Sequence, residues 1–211
     1  MTLDLAVLGA QAENYAAVPT ILFKLKLTDD SGEPVHAVAL RIQIRIEPQR
    51  RTYTDVDQGR LYELFDEPKR WGETLKPLSW CHTQLMVTRF EESTEVDLAM
   101  PCSYDFEVVG NKYLHSVRDG DIPLQFLFSG SIFTKGETGF AAQPVGWNKD
   151  VSFMMPAKVW QDVMDMYFPN SGWMKVRRDV MDRLIQYKTR QAMPSWEQAF
   201  ETLLKEAGQD V

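Results

Sequence analysis

Apolar and polar residues alternate almost without interruption along the segment from Val35 to Pro48. Val38, Leu40, Ile42, Ile44 and Ile46 fall on one side, and Ala37, Ala39, Arg41, Gln43 and Arg45 fall on the other. Because successive side chains of a strand point to opposite faces, this spacing predicts a strand with one apolar and one solvated face. At helical spacing the same isoleucines would scatter around the whole helix, so a helix is excluded. The solvated face favours an antiparallel sheet.

Alternation of the same kind predicts seven further strands. They span residues 3–8, 19–28, 78–87, 94–100, 104–108, 122–133 and 140–153. The turn cluster DDSG at residues 29–32 separates two alternating runs, and we expect the strands on either side of it to form a hairpin. One face of the strand over 78–87 is expected to carry Leu78, Trp80, His82, Gln84 and Met86. About eight strands at this spacing are typical of a β-sandwich.

Helical spacing interrupts the strands once. Thr54 precedes Asp57 by three residues, which indicates a helix start with an acidic residue near its N-terminal end. A short helix is therefore predicted over residues 56–66, as an insertion between strands. Residues 111–118 fit either one helical turn or a loop, and the sequence does not decide between them.

Three helices are predicted after Met155. Pro156 opens the first, residues 173–191 form the second, and the capping pair Ser195 and Gln198 begins the third. These helices must cover an apolar surface, most simply one face of the sandwich. We therefore expect a β-sandwich domain over residues 1–155, with a helical segment over 156–211 packed on it as one structural unit. The predicted fold class is mainly β with C-terminal helices (α+β).

Length, charge and cysteine content narrow the class of protein. The 211 residues carry a formal net charge of −7, which argues against nucleic acid as a main partner because phosphate binding needs a basic surface. No apolar run approaches the ~20 residues of a membrane span, and the N-terminus lacks the pattern of a signal peptide. Two cysteines do not make a disulfide scaffold. A soluble cytoplasmic protein is expected.

Candidate chemistry is sparse. Cys81, His82, Cys102 and His115 are residue types that ligate metals, but the first two are strand neighbours on opposite faces, and no C-x-x-C or H-x-x-H pair supports them. Two buried thiols are the simpler interpretation. No G-x-S-x-G motif and no phosphate-binding glycine loop occurs. We assign no catalytic, cofactor or metal residues, and an enzyme whose site is assembled from residues distant in sequence is the alternative.

Arginines gather near the central strand of this acidic chain. The candidate partner-binding residues are Arg41, Gln43 and Arg45 on the solvated face, and Arg50 and Arg51 just beyond the strand. Arginine forms paired hydrogen bonds with carboxylates and is enriched at protein interfaces, which favours a protein partner that carries carboxylates. The alternative is internal pairing across the sheet with Glu95, Asp97 or Glu107. The two interpretations stay open at this point.

The run YFPNSGW at residues 167–173 separates the first two C-terminal helices. Pro169 cannot extend a helix because it lacks an amide hydrogen, and Asn170 and Ser171 favour turns. The aromatic residues at the two ends of the run are expected to pack toward the sheet and form a structural corner. A docking site for a partner is the alternative, and Trp173 is for that reason also a candidate partner-binding residue.

Three runs of the sequence are distinctive: LRIQIRIEPQRR at residues 40–51, LFSGSIFTKGETG at 127–139 and YFPNSGW at 167–173. Together they resemble a family of uncharacterised bacterial proteins of about this length, and the resemblance covers nearly the whole chain. It brings no catalytic residues with it. Genes of that family often lie beside genes of nickel–iron hydrogenases. The resemblance therefore implies a noncatalytic accessory or interaction protein whose partner is a hydrogenase or one of its maturation proteins.

Overall fold

The computed structural model describes residues 3–102, 108–136, 139–146, 149–172 and 174–209. The chain divides into two compact units, Met1–Trp173 and Met174–Val211. The first C-terminal helix belongs to the same unit as the strands, whereas the sequence analysis grouped it with the helices that follow it. The packing of residues 156–211 as one segment on the sandwich stays a prediction.

Eight strands are described, and all of them lie in the first unit. They are β1 (Leu3–Ala12), β2 (Thr20–Asp29), β3 (Val35–Ile46), β4 (Leu78–Val87), β5 (Ser93–Pro101), β6 (Asp121–Gly136), β7 (Gly139–Pro144) and β8 (Asp150–Pro156). Two antiparallel sheets result, one with the order β1-β2-β5 and one with the order β4-β3-β6-β7, in which β8 also pairs with β6. The first half of the long strand β6 pairs with β8 and its second half pairs with β7. The predicted mainly β, antiparallel sandwich is confirmed.

The apolar faces of the two sheets meet in one core. The predicted apolar face of β3 is buried, with no member more than 2% exposed: Val38, Leu40, Ile42, Ile44 and Ile46. From the first sheet, the Phe23 ring packs edge-on against Phe126, with 5.1 Å between ring centroids, and against Phe153 at 6.2 Å. Each such side chain contributes about 1.5–3 kcal/mol on burial. Because this face of β3 is fixed in the core, the polar residues of β3 point away from it.

Six α-helices accompany the strands in the described part of the chain. They are α1 (Asp55–Phe65), α2 (Trp71–Thr74), α3 (Val109–Ser116), α4 (Ala157–Tyr167), α5 (Arg178–Arg190) and α6 (Trp196–Glu206), and 3-10 turns cover Pro48–Arg50 and Pro68–Arg70. Helix α1 confirms the predicted insertion. The Asp57 backbone N–H donates to the Thr54 hydroxyl at 3.2 Å, and the Thr54 N–H donates to the Asp57 carboxylate at 3.1 Å. The undecided segment at 111–118 lies largely in α3.

The predicted hairpin around residues 29–32 is wrong. Strand β2 pairs with β1 and β5, whereas β3 pairs with β4 and β6, so the turn carries the chain from one sheet to the other. Both strands present an apolar face to the same core, one from each side. A short polar turn between two alternating runs fits a hairpin and a crossover between sheets equally well, because both connections need the same turn residues.

The prediction that one face of β4 carries Leu78, Trp80, His82, Gln84 and Met86 is also wrong. Cys81 pairs with Ile44 and Ser79 pairs with Arg45, so Trp80 is an extra residue that shifts the register. Such a bulge changes the phase of the alternation, since two residues on one strand oppose one on its neighbour. The Trp80 ring therefore packs in the core at 6.4 Å from the Phe23 ring centroid, while His82 lies on the outer side of the sheet, opposite Gln43.

Two further strand predictions change. The final strand predicted over 140–153 is two strands, β7 and β8, which lie along different halves of β6. The strand predicted over 104–108 falls almost entirely outside the described residues. The count of eight strands therefore agrees with the sequence analysis although the individual segments differ.

The second unit contains α5 and α6. Helix α5 begins at Arg178, later than the predicted start at 173. The predicted Ser195 cap of α6 is present, with the Gln198 backbone N–H donating to the Ser195 hydroxyl at 3.2 Å. The Lys188 ammonium lies 5.7 Å from the Trp196 ring centroid, which links the end of α5 to the start of α6.

Candidate functional site

A groove of about 610 Å³ lies on the outer face of the second sheet. Residues 41–43 of β3, 82–84 of β4 and 127–129 of β6 line it, and we call it the outer-face groove. The register of the three strands builds it in rows. Arg41 lies between Gln84 and Ser129, and one row further along Gln43 lies between His82 and Leu127. The groove thus places polar side chains and Leu127 around one arginine.

Arg41 is the central charge of the outer-face groove. Its side chain is exposed and forms no hydrogen bond or ion pair with any described residue. Its backbone is held in place, because the Arg41 carbonyl oxygen is 3.4 Å from the Ser129 hydroxyl. A guanidinium with five N–H donors and no acceptor among the described residues is available to an external carboxylate.

Three polar side chains beside Arg41 offer further hydrogen-bond donors and acceptors. His82 and Gln84 are exposed and Gln43 is half-buried, and none of these three side chains is bonded to another described residue. The sequence analysis did not assign His82, Gln84 or Ser129 to partner binding. The polar alternation of His82 and Gln84 was visible in the sequence, but their place beside Arg41 depends on the strand register.

Arg45, near the end of β3, and Arg50, in the 3-10 turn that follows, are engaged locally. The Arg45 guanidinium lies 3.5 Å from the carboxylate of Glu47, a side chain only 6% exposed. Arg50 donates to the Ser152 hydroxyl at 2.9 Å, and that hydroxyl lies 3.4 Å from the Gln125 amide oxygen. These contacts tie the 3-10 turn after β3 to β6 and β8. Arg45 and Arg50 therefore stabilise the end of the sheet beside the groove.

Arg51 has a structural position away from the groove. It donates to the backbone carbonyls of Asp119, at 2.8 Å, and Asp121, at 3.0 Å. Its side chain is only 10% exposed, and its guanidinium lies 3.8 Å from the Asp57 carboxylate and 5.3 Å from the Tyr53 ring centroid. These contacts anchor the start of β6 to the segment that leads into α1. Of the five predicted residues other than Trp173, the groove contains Arg41 and Gln43.

Internal pairing with Glu95 or Asp97 does not occur. Both acidic residues belong to β5 in the first sheet, and the Asp97 carboxylate pairs with the Lys24 ammonium at 2.8 Å. Glu107, the third proposed partner, lies outside the described residues. Among the described residues, Arg41 therefore has no acidic partner.

The run YFPNSGW ends α4 and forms the turn that follows. Tyr167 is the last residue of α4, and its hydroxyl donates to the Ala16 backbone carbonyl. Phe168 and residues 170–172 line a second cavity, which also involves α3 and α4. Trp173 lies outside the described residues, so its assignment to a corner or to a docking site stays a prediction.

The two thiols lie in apolar surroundings. Cys81 is half-buried and Cys102 is buried, and burial raises the pKa of both, that of Cys102 to about 12. Cys81 faces the core beside Ile44, whereas His82 faces the groove. Within the described ranges, no group of three or more His, Cys, Asp or Glu side chains is arranged to hold a metal. No helix among the described residues is long and apolar enough to cross a membrane.

The fold and the groove define a two-sheet β protein with a recess around Arg41 on the outer face of its larger sheet. The sequence profile of DUF6084, a family of unknown function, matches residues 1–211, and the chain belongs to this family. The resemblance to a family without an assigned function is thereby confirmed at that level. No curated protein matches the chain.

Several solved structures share a distant likeness. A protein assigned to the late embryogenesis abundant class is 11% identical over 74% of this chain and 72% of its own, with a TM-score of 0.32. The CARDB domain of a Pyrococcus furiosus protein, solved with di-metal ions, is 8% identical over 74% and 93%, with a TM-score of 0.27. A protein assigned as ApaA from Bordetella pertussis is 11% identical over 74% and 94%, with a TM-score of 0.29. At these values none of the likenesses bears on function.

Proposed function

We propose that this protein is a noncatalytic binding protein whose outer-face groove receives a carboxylate-bearing segment of a protein partner. The observation that carries the proposal is the Arg41 guanidinium in the middle of the groove, which is paired with no described residue. An arginine that lies between polar neighbours and has no counter-charge in the described part of the chain is suited to a bidentate contact with an Asp or Glu side chain.

The surroundings of Arg41 offer a bound segment both hydrogen bonds and apolar contact. Gln43, His82 and Gln84 offer hydrogen-bond donors and acceptors on either side of the guanidinium. Leu127 adds a half-buried apolar contact in the next row. A short acidic segment crossing the three strands would satisfy these groups together. Since the whole chain carries a net charge of −7, this local positive charge would also orient an acidic partner toward the groove.

The identity of the partner rests on the resemblance alone. Because genes of the resembling family often lie beside those of nickel–iron hydrogenases, we propose a hydrogenase or one of its maturation proteins as the partner, in the cytoplasm. This part of the proposal is independent of the groove. A different acidic partner would leave the proposed role of Arg41 intact.

The experiment compares two charge reversals in the tagged protein, expressed in its native cell. Arg41→Glu removes the groove charge, and Arg60→Glu reverses an exposed arginine of α1 as the matched control. Captured proteins are quantified by mass spectrometry. We expect the Arg41→Glu protein to capture at least tenfold less of a specific partner, while the Arg60→Glu protein captures the parental amount.

Stability is measured on the same variants. Arg41 is exposed and pairs with none of the residues that the structure describes, so its replacement should change the free energy of unfolding by no more than about 0.5 kcal/mol. Equal capture by Arg41→Glu and the parent would contradict the proposed groove. Loss of capture together with unfolding would assign the effect to the fold and not to the groove. A specific partner that is not a hydrogenase component would overturn only the proposed identity.

A further inference from the structure

A second cavity, of about 450 Å³, lies between α3, α4 and the turn after α4. We call it the helix cavity. Its polar lining consists of His115, Arg118, Gln161, Asp165, Asn170 and Ser171, and its apolar lining includes Leu114, Trp160, Met164 and Phe168. Its volume is within the range of small-molecule sites. It shares no lining residue with the outer-face groove.

Two opposite charges line the helix cavity without neutralising each other. Arg118 and Asp165 are both exposed, and neither forms an ion pair or a side-chain hydrogen bond with a described residue. The position of Arg118 is fixed through its backbone, because the Gln161 amide donates to the Arg118 carbonyl oxygen. Gln161 and Asp165 are one turn apart on α4. The same helix therefore carries Asp165 and, through Gln161, holds the backbone of Arg118.

The remaining wall is apolar. Trp160 is 1% exposed, and its indole N–H has no acceptor among the described residues. This N–H is enclosed by protein and therefore does not face a ligand in the cavity. Burial and the charges of Arg118 and Arg60 lower the pKa of His115, which keeps its imidazole neutral and leaves Arg118 as the cation of the described lining at pH 7.

We propose that the helix cavity binds a small zwitterion, a free α-amino acid with an apolar side chain. Its carboxylate would pair with Arg118, its ammonium group with Asp165, and its side chain would pack on Met164 and Phe168. A simple anion of the same size would meet the Asp165 carboxylate, and a simple cation would meet the Arg118 guanidinium. A molecule that carries both charges satisfies both residues, and the apolar wall selects the side chain.

Matched ligands test the two-charge requirement on the unmodified protein by isothermal titration calorimetry. The probes are L-leucine, 4-methylpentanoate, which lacks the amino group, and 3-methylbutylamine, which lacks the carboxylate. We expect saturable binding of L-leucine with a Kd of about 1 mM or tighter, as a ligand of this size allows. Each of the other two should bind at least tenfold more weakly.

Matched variants locate the binding. Arg118→Gln and Asp165→Asn should each weaken L-leucine binding at least tenfold. Two controls should bind L-leucine as the parent does: Arg41→Gln in the outer-face groove, and Asp162→Asn, three residues before Asp165 on α4. Asp162 pairs with Lys158 and does not line the cavity.

Three results would overturn the proposal. They are the absence of L-leucine binding up to about 10 mM, equal binding of 4-methylpentanoate or 3-methylbutylamine, and binding that Arg118→Gln and Asp165→Asn leave unchanged. L-leucine binding and partner capture by the Arg41 variants are measured in separate experiments. Failure here therefore does not bear on the proposed function, and the converse also holds.

Discussion

Gly130 allows β3 and β6 to approach closely at the point where they form the outer-face groove. Its φ of +144° lies in a region that L side chains rarely adopt, and it pairs with Leu40. A Cβ atom built at this position would lie 1.9 Å from the Ala39 carbonyl oxygen and 3.1 Å from the Leu40 Cα. Because both contacts are with backbone atoms, no side-chain rotation can relieve them. Gly130→Ala therefore tests the geometry of the central sheet directly.

Two effects set the expected magnitude. Holding a residue with a Cβ in this backbone region costs about 1–3 kcal/mol. Separating the two strands enough to admit the methyl group costs a further amount of about 1–3 kcal/mol, as other overpacked interiors do. The sum of about 2–6 kcal/mol is a large part of a typical total of about 5–15 kcal/mol. For a chain of this size we expect the melting temperature to fall by roughly 5–20 °C.

Circular dichroism melts and urea titrations of the parent and two variants decide the matter. The matched control is Gly59→Ala in α1, where a Cβ meets nothing within 4 Å. In a helix interior this change should stabilise the protein by about 1 kcal/mol. Replacing glycine by alanine is thus expected to lower the free energy of unfolding at residue 130 and to raise it at residue 59. A Gly130→Ala protein that melted within about 2 °C of the parent would refute the close approach of β3 and β6.

Two further predictions concern buried titratable groups. Because the pKa of Cys102 is raised to about 12 and its side chain is buried, iodoacetamide at pH 8 should leave Cys102 unmodified in folded protein, and complete labelling seen by mass spectrometry would contradict this. Burial raises the pKa of Tyr53 and Tyr113, whose hydroxyls are 2.8 Å apart, so their contribution to stability is fully present below the unfolded pKa near 10 and is lost as the pH rises. Urea titrations from pH 8 to 11 should show a shallower decline for Tyr53→Phe than for the parent.

Local patterns were sufficient to predict several elements from the sequence. The alternation in β3 identified its buried face because apolar residues at every second position all lie on one face of a strand. The Thr54 and Asp57 pair located the start of α1, and Ser195 located the start of α6, since a helix cap is formed by residues only three positions apart. These signals are local, so they needed no knowledge of distant partners.

Only the tertiary structure decided which strands are neighbours and what each arginine meets. The turn at residues 29–32 joins two sheets because β2 and β3 both bury apolar faces in one core. The extra residue Trp80 sets which residues of β4 lie beside Arg41, since a bulge is defined by the partner strand. Arg41 pairs with no residue in the described ranges and Arg51 donates to two backbone carbonyls, although both belong to one basic run. Their difference arises from contacts about 70 residues apart in the chain, which no local pattern of the sequence contains.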